Sequence, residues 1–169
     1  TIVSRNHNAV EELVVSVTQI QEGTVDNVIN DSAFICGTVR SFARPVQDMV
    51  ERRMREICAG HAAAFAVDVT CTYTRGYPAT INVPEHTAFA SQVAEEVCGT
   101  ALLETDRTRE MGAEDFSYLL EKRPGCYLFL GQGEGAAWHN AAFDFNDEVS
   151  PVGASFFARL VERAQPLEQ

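Results

Sequence analysis

Ser32-Ala-Phe-Ile-Cys-Gly-Thr-Val-Arg-Ser-Phe42 decides the reading of the first half of the chain. Its residues are those of a pleated, half-buried strand. Phe34, Cys36, Thr38, Arg40 and Phe42 share one face, and Ala33, Ile35, Gly37 and Val39 the other. Upstream, Leu13-Val-Val-Ser-Val-Thr-Gln-Ile20 is another β-branched run. Glu22-Gly23 and Asp26-Asn27 between them carry turn chemistry, so the two strands are expected to pair across a long loop.

Pro45 then opens a helix in its first turn, where proline is tolerated. Val46, Met49, Val50, Met54 and Ile57 recur at helical spacing, and Gly60 is the expected end. Ala64-Phe-Ala-Val-Asp-Val-Thr-Cys-Thr-Tyr-Thr74 predicts a third strand, alternating over Phe65, Val67, Val69, Cys71 and Tyr73. With a helix end over residues 1–8 in front, the order is the tail of a ferredoxin-like β-α-β-β-α-β unit lacking its first strand and most of its first helix. Arg75-Gly-Tyr-Pro-Ala-Thr-Ile-Asn82 changes character and predicts a linker, dividing the chain into residues 1–76 and 77–169. The second part is expected to hold a helix from Pro84 to near Gly99 and a short helix near Glu114-Asp115. A strand over Cys126-Tyr-Leu-Phe-Leu-Gly131 and a last helix opened by Ser150-Pro151 complete it. The class is α/β, in the α+β sense.

Bulk composition removes several functions. With 46% apolar residues the chain is globular, and a net charge of -11 argues against nucleic-acid or acidic-membrane partners. No apolar run approaches the roughly 20 residues that span a bilayer. The start, Thr-Ile-Val-Ser-Arg, lacks an initiator Met and a signal pattern, and is expected of a cut inside a longer chain or of processing. Cys36, Cys58, Cys71, Cys98 and Cys126 are odd in number and form no Cys-x-x-Cys pair. They are expected to be buried, reduced thiols of a cytoplasmic protein rather than a zinc knuckle or a disulfide framework.

The stretch that carries chemistry is Gly131-Gln-Gly-Glu-Gly-Ala-Ala-Trp-His139-Asn140, followed by Ala-Ala-Phe-Asp-Phe-Asn-Asp147-Glu148. Glycines let a loop bend close to a ligand, and imidazole is the commonest metal ligand. His139 is therefore the first candidate, with Asn140 beside it and a carboxylate among Asp144, Asp147 and Glu148 to orient it. Alone it is insufficient, since zinc sites take at least three protein ligands. Glu114 and Asp115 read as helix-start carboxylates or as polar anchors behind a metal or substrate. Arg40 shares a face with Phe42; its guanidinium suits an internal carboxylate or a substrate's. Asn27 sits in a tight turn, where left-handed backbone explains it as well as ligand binding does. His7, His61 and His86 read as surface or helix-end residues, and Gly131-Gln-Gly-Glu-Gly is no dinucleotide fingerprint, because no helix follows at the required spacing.

An ordered set of segments carries a resemblance: Gly23-Thr-Val-Asp-Asn27-Val-Ile-Asn-Asp31, Gly37-Thr-Val-Arg40-Ser-Phe, Tyr77-Pro-Ala-Thr-Ile-Asn82, Met111-Gly-Ala-Glu-Asp-Phe-Ser117, Pro124-Gly-Cys-Tyr-Leu-Phe-Leu-Gly131, His139-Asn140 and Phe145-Asn-Asp147. Together they resemble the C-terminal part of metal-dependent amidohydrolases of the hippurate hydrolase and indole-acetyl-amino-acid hydrolase type, grouped with aminoacylases and carboxypeptidase-G-like peptidases. The resemblance implies a lid or dimerisation domain over residues 1–76 and the C-terminal portion of a zinc-peptidase-like α/β catalytic domain over 77–169. It implies hydrolysis of an N-acyl amino acid at a site of two divalent metals, zinc, manganese, nickel or cobalt, with a glutamate general base lying upstream. It makes His139 the last metal ligand, and gives Asn27, Arg40 and Gln21 substrate contacts and Glu114, Asp115 and Asn140 supporting places. Gln21 stands where members often carry a histidine; Asn30 and Ala141 stand where they carry prolines. The resemblance further implies a homodimer through the lid, and no metal bound or turnover supported by these residues alone. The competing reading is a non-catalytic dimerising α/β module, or a binding protein with a relict pocket.

Overall fold

The structure, a computed structural model, describes residues 1–166. They form two compact units: Thr1–Ala79 with Glu110–Glu114, and Thr80–Arg109 with the chain from Asp115 onward.

In the first unit a short helix α1 (Ile2–Arg5) leads to strands β1 (Leu13–Gln21) and β2 (Phe34–Ser41), then to helix α2 (Arg44–Phe65). The strands pair antiparallel, from Leu13 opposite Ser41 to Gln21 opposite Phe34. The register shifts between Val17 and Gln19, a bulge that leaves Thr18 as the extra residue. Gly37 lies opposite Val17 at this bulge, where a Cβ on it would sit 2.3 Å from the Ser16 carbonyl oxygen.

Val46 and Val50 of α2 are buried against Ile2, with Leu13, Val15, Val39, Met49, Met54, Ile57 and Tyr73 around them. The core face of β2 is thus the face of Val39. Arg40, read from sequence as sharing an apolar face with Phe42, is exposed on the opposite face.

A helix end and a strand differ from the expectation. Gly60 does not end α2, which continues through His61-Ala-Ala-Ala-Phe65; three alanines, the best helix formers, carry it past the glycine. It stops at Ala66, left-handed at φ 52° and ψ 46°, with the Val67 amide closing on the Ala62 carbonyl at 3.2 Å. Residues 67–74 therefore begin late, and they join no ladder. A split β-α-β arrangement leaves one strand position between the strand before the helix and the strand after it. The described residues supply no strand for that position, so the sheet has two strands and the ferredoxin-like order is not formed.

Segment 67–75 keeps the period of a strand nonetheless. Cys71 and Tyr73 are half-buried, while Thr72 and Thr74 are exposed. Side chains of α2 hold it in place of a ladder. Arg55 donates to the Cys71 carbonyl at 3.2 Å, Tyr73 packs into the core, and Arg75 bridges Glu51 at 2.8 Å and Asp48 at 2.6 Å.

The Arg55 and Arg75 guanidiniums hold the Glu51 carboxyl below the usual carboxylate range. Its contribution to stability is present above that range and is lost as pH falls through the lowered value. Glu51→Gln is therefore expected to lower the thermal midpoint at neutral pH, and the gap to the parent should close on acidification. A pH-independent gap would contradict the assignment.

The second unit contains α3 (Pro84–Cys98), α4 (Phe116–Lys122) and α5 (Ser150–Ala164), with 3₁₀ turns at Thr100–Leu102 and Asp147–Val149. Ala90 and Val93 of α3 are buried, and Glu96 ties α3 to α5 through Arg159 at 2.7 Å and through Arg163. The strand expected over 126–131 also forms no ladder. No described strand lies beside it, and a single side chain takes the neighbour's place. Asn82 Nδ2 donates to the Tyr127 carbonyl at 2.9 Å, and the Tyr127 amide donates to Asn82 Oδ1 at 2.7 Å. The Val83 amide adds a bond to the Gly125 carbonyl at 3.0 Å.

All five cysteines are free thiols. Cys36 is exposed and the other four are half-buried, which corrects the expectation of uniform burial. No described helix is long and apolar enough to cross a membrane.

Candidate metal-ligand loop

The loop that carries His139 is closed at its base by amides. Asn146 donates its backbone amide to Gln132 Oε1 at 3.4 Å and its Nδ2 to the Gln132 carbonyl at 3.1 Å. Its own Oδ1 accepts from the Glu148 amide at 3.0 Å, capping the turn that leads into α5. A compact loop tied at its ends and filled by its own side chains is a frequent functional device.

At the far end the chain turns twice. The Asn140 amide bonds to the Ala137 carbonyl at 3.1 Å, and the Phe143 amide to the Asn140 carbonyl at 3.0 Å. His139 is the third residue of the first turn and has φ 64°. That place in a turn suits glycine or asparagine; a histidine there costs about 1–3 kcal/mol. A side chain kept against such a cost is a functional candidate. Asn140 Oδ1 accepts from the Ala142 amide at 2.9 Å, which locks the second turn.

Aromatic packing steadies the approach. Trp138 stacks on Phe129, with centroids 6.3 Å apart and planes at 13°. Phe129 meets Tyr127 edge-on at 5.3 Å, Tyr127 meets Phe116 at 5.5 Å, and the Arg107 guanidinium lies 4.2 Å from the Phe129 ring. Trp138 is thereby held on one side of the turn, leaving His139 itself exposed.

Between the two arms of the loop lies a cleft of about 440 Å³, with Glu134, Asp144, Asp147 and Glu148 in its lining. The carboxylates make it a negative pocket, attractive to cations. Among the described residues, however, no group of three or more His, Cys, Asp or Glu side chains is arranged to hold a metal ion. His139, exposed on its turn, can supply one imidazole nitrogen to a metal.

Gln21 ends β1 opposite Phe34, and Asn27 follows in the exposed turn beyond it. Arg40 pairs with Val14 at the other end of the ribbon, about 20 Å away at the rise of a strand. Its guanidinium donates to the Met111 carbonyl. Glu114 is half-buried, while Asp115 is exposed at the start of α4 without a side-chain capping bond. Neither adjoins a described metal-ligand group.

Sequence reasoning missed the clamping roles of Asn82, Gln132 and Asn146. The signal was present for Asn82 and Asn146, which sit inside ordered motif segments that no helix or strand pattern explains. Asn82→Ala is expected to destabilise the second unit by about 2 kcal/mol, because two backbone groups of Tyr127 lose their partner. Asn82→Asp keeps the acceptor for the Tyr127 amide but sets a carboxylate oxygen against the Tyr127 carbonyl, so its loss should be larger when that carboxyl is ionised than when it is protonated. A loss that does not change with pH in urea titrations would contradict this.

The sequence profile of peptidase family M20/M25/M40 matches residues 3–163. This chain belongs to that family. It is 31% identical over 160 residues to the N-acetylcysteine deacetylase of Bacillus subtilis, covering 95% of this chain and 41% of that protein. It is 32% identical over 160 residues to the hippurate hydrolase of Campylobacter jejuni, covering 95% of this chain and 42% of that protein. The crystal structure of the B. subtilis YXEP protein, a dinuclear metal binding peptidase from the M20 family, superposes with a TM-score of 0.77 at 30% identity. That match covers 90% of this chain and 42% of the other. The M20 chain described here thus spans less than half the length of the curated relatives it matches.

Proposed function

We propose that the protein to which this chain belongs is a metal-dependent amidohydrolase that cleaves the amide bond of N-acyl amino acids of the hippurate type. The observation that carries this reading is His139, a histidine in left-handed backbone on a tied loop, in a chain of the M20 family. In the proposal His139 holds one of two divalent metals, drawn from zinc, manganese, nickel and cobalt. Such a metal polarises a carbonyl and lowers the pKa of a bound water. Gln132 and Asn146 fix the base of the loop, and the stack of Trp138 on Phe129 aims the turn. The general base and the other ligands come from outside residues 1–169, so these residues alone should bind no metal and turn over no substrate.

Residues 1–76 act as the lid and 77–169 as the C-terminal portion of the catalytic domain. A lid contact to the substrate falls to Gln21 and Asn27 at one end of the ribbon or to Arg40 at the other, since a hippurate-sized molecule spans only one end. Arg40 suits a carboxylate; Gln21 and Asn27 suit a neutral amide oxygen. Glu114 and Asp115 have supporting places only. The protein works in the cytoplasm as a homodimer joined through the lid.

The experiment is hydrolysis of hippurate and of N-acetylcysteine by the natural full-length product, with and without added zinc or manganese. Metal-dependent release of glycine or cysteine is expected. One feature favours a second reading, a non-catalytic dimerising or relict-pocket module: Gln21, a neutral amide, stands where the resemblance implies a histidine. A metal-free, inert dimer would establish that reading instead.

A further inference from the structure

Cys58 and Cys71 are brought together by the track of segment 67–75 along α2. Contacts step along that track in antiparallel order. Arg55 reaches the Cys71 carbonyl, Tyr73 packs against the cluster of Val46 and Val50, and Arg75 reaches Glu51 and Asp48. Helical side chains lean toward the helix N-terminus, so Cys58 lies over the turn that contains Arg55, where Cys71 arrives. Both residues are half-buried, and the neighbouring Cys71 thiol is one of the groups that push the Cys58 thiol up.

We propose that Cys58 and Cys71 form an oxidisable dithiol site, which a low-molecular-weight disulfide converts into a protein disulfide that fastens segment 67–75 to α2. Among the described residues no ladder holds that segment. The chemistry balances as two exchanges. Cys71 loses its proton and attacks one sulfur of the small disulfide. That S–S bond breaks, one small thiolate leaves, and a mixed disulfide remains on Cys71. Cys58 then loses its proton and attacks the Cys71 sulfur, releasing the second small thiolate. Two protein thiols are oxidised to one disulfide, and one small disulfide is reduced to two thiols, which take up the two protons. Burial, followed by the adjoining Cys71 thiol, pushes the Cys58 thiol up, so its thiolate is scarce at neutral pH and the closing exchange is slow there.

The test is incubation of the full chain with oxidised glutathione in mildly alkaline buffer, followed by alkylation and peptide mapping. A linked peptide pair containing Cys58 and Cys71 is expected, with Cys36 found as a separate glutathione adduct. Tryptic cleavage after Arg75 should be slowed several-fold in the oxidised form and restored by dithiothreitol. Cys58→Ser should stop the reaction at the mixed disulfide on Cys71; the wild-type map decides the question even where that variant folds poorly. Recovery of Cys58 and Cys71 as two separate adducts, or of either linked to another cysteine, overturns the proposal.

Discussion

His139→Ala in the natural full-length protein is expected to weaken metal binding by at least about 100-fold, since even partners that only orient a ligand contribute 10–100-fold. Hydrolysis of N-acyl amino acids should fall with it. The turn supplies a control that separates the imidazole from the backbone. His139 has φ 64°, a conformation that asparagine also adopts readily. His139→Asn should keep the turn and its bonds between Asn140 and Ala137 and between Phe143 and Asn140, yet lose the metal. If His139→Asn kept the metal and only His139→Ala lost it, the loop conformation, not the imidazole, would be the functional feature. Metal-to-protein ratios of both variants after dialysis distinguish the cases.

Gly37→Ala is expected to be the most damaging single methyl in the first unit. The added Cβ would lie 2.3 Å from the Ser16 carbonyl oxygen and 3.3 Å from its carbonyl carbon, both backbone atoms of the paired strand. A flexible side chain would move aside; a strand in register cannot do so without breaking the ladder beside Thr18. A loss of about 1–3 kcal/mol follows from forced overpacking. Gly60→Ala is the matched contrast. A Cβ there meets nothing within 4 Å, and alanine in a helix interior is favoured over glycine by about 1 kcal/mol. Urea midpoints should therefore fall for Gly37→Ala and rise for Gly60→Ala. Equal shifts would show that Gly37 is not pinned by Ser16.

What the sequence made legible, and what it hid, follows from whether a signal is local. The spacing of Val46, Met49, Val50 and Met54 is a property of one helix, and α2 formed with Val46 and Val50 buried. The proline starts of α2, α3 and α5 are local too, and those helices begin within one residue of Pro45, Pro84 and Pro151. Strands are different, because a ladder needs a partner. Residues 67–74 and 126–131 have the alternation or the apolar content of strands, but no described strand lies beside either. Arg55, Arg75 and Asn82 take the partner's place through side chains, a substitution that composition does not announce. Arg40 is exposed for a related reason: alternation puts it on the face of Phe42 without saying which face α2 covers. In the candidate site, the motif order singled out His139, and its left-handed backbone is a feature that no sequence pattern encodes.

The most direct measurement of the central claim is the metal content of two samples, the natural full-length product and residues 1–169 alone, each loaded with zinc or manganese and dialysed. The account predicts about two metals per full-length chain and none for residues 1–169, because His139 stands without a cluster of partner ligands among the described residues. Two metals retained by residues 1–169 alone, or a metal-free full-length product, would contradict it.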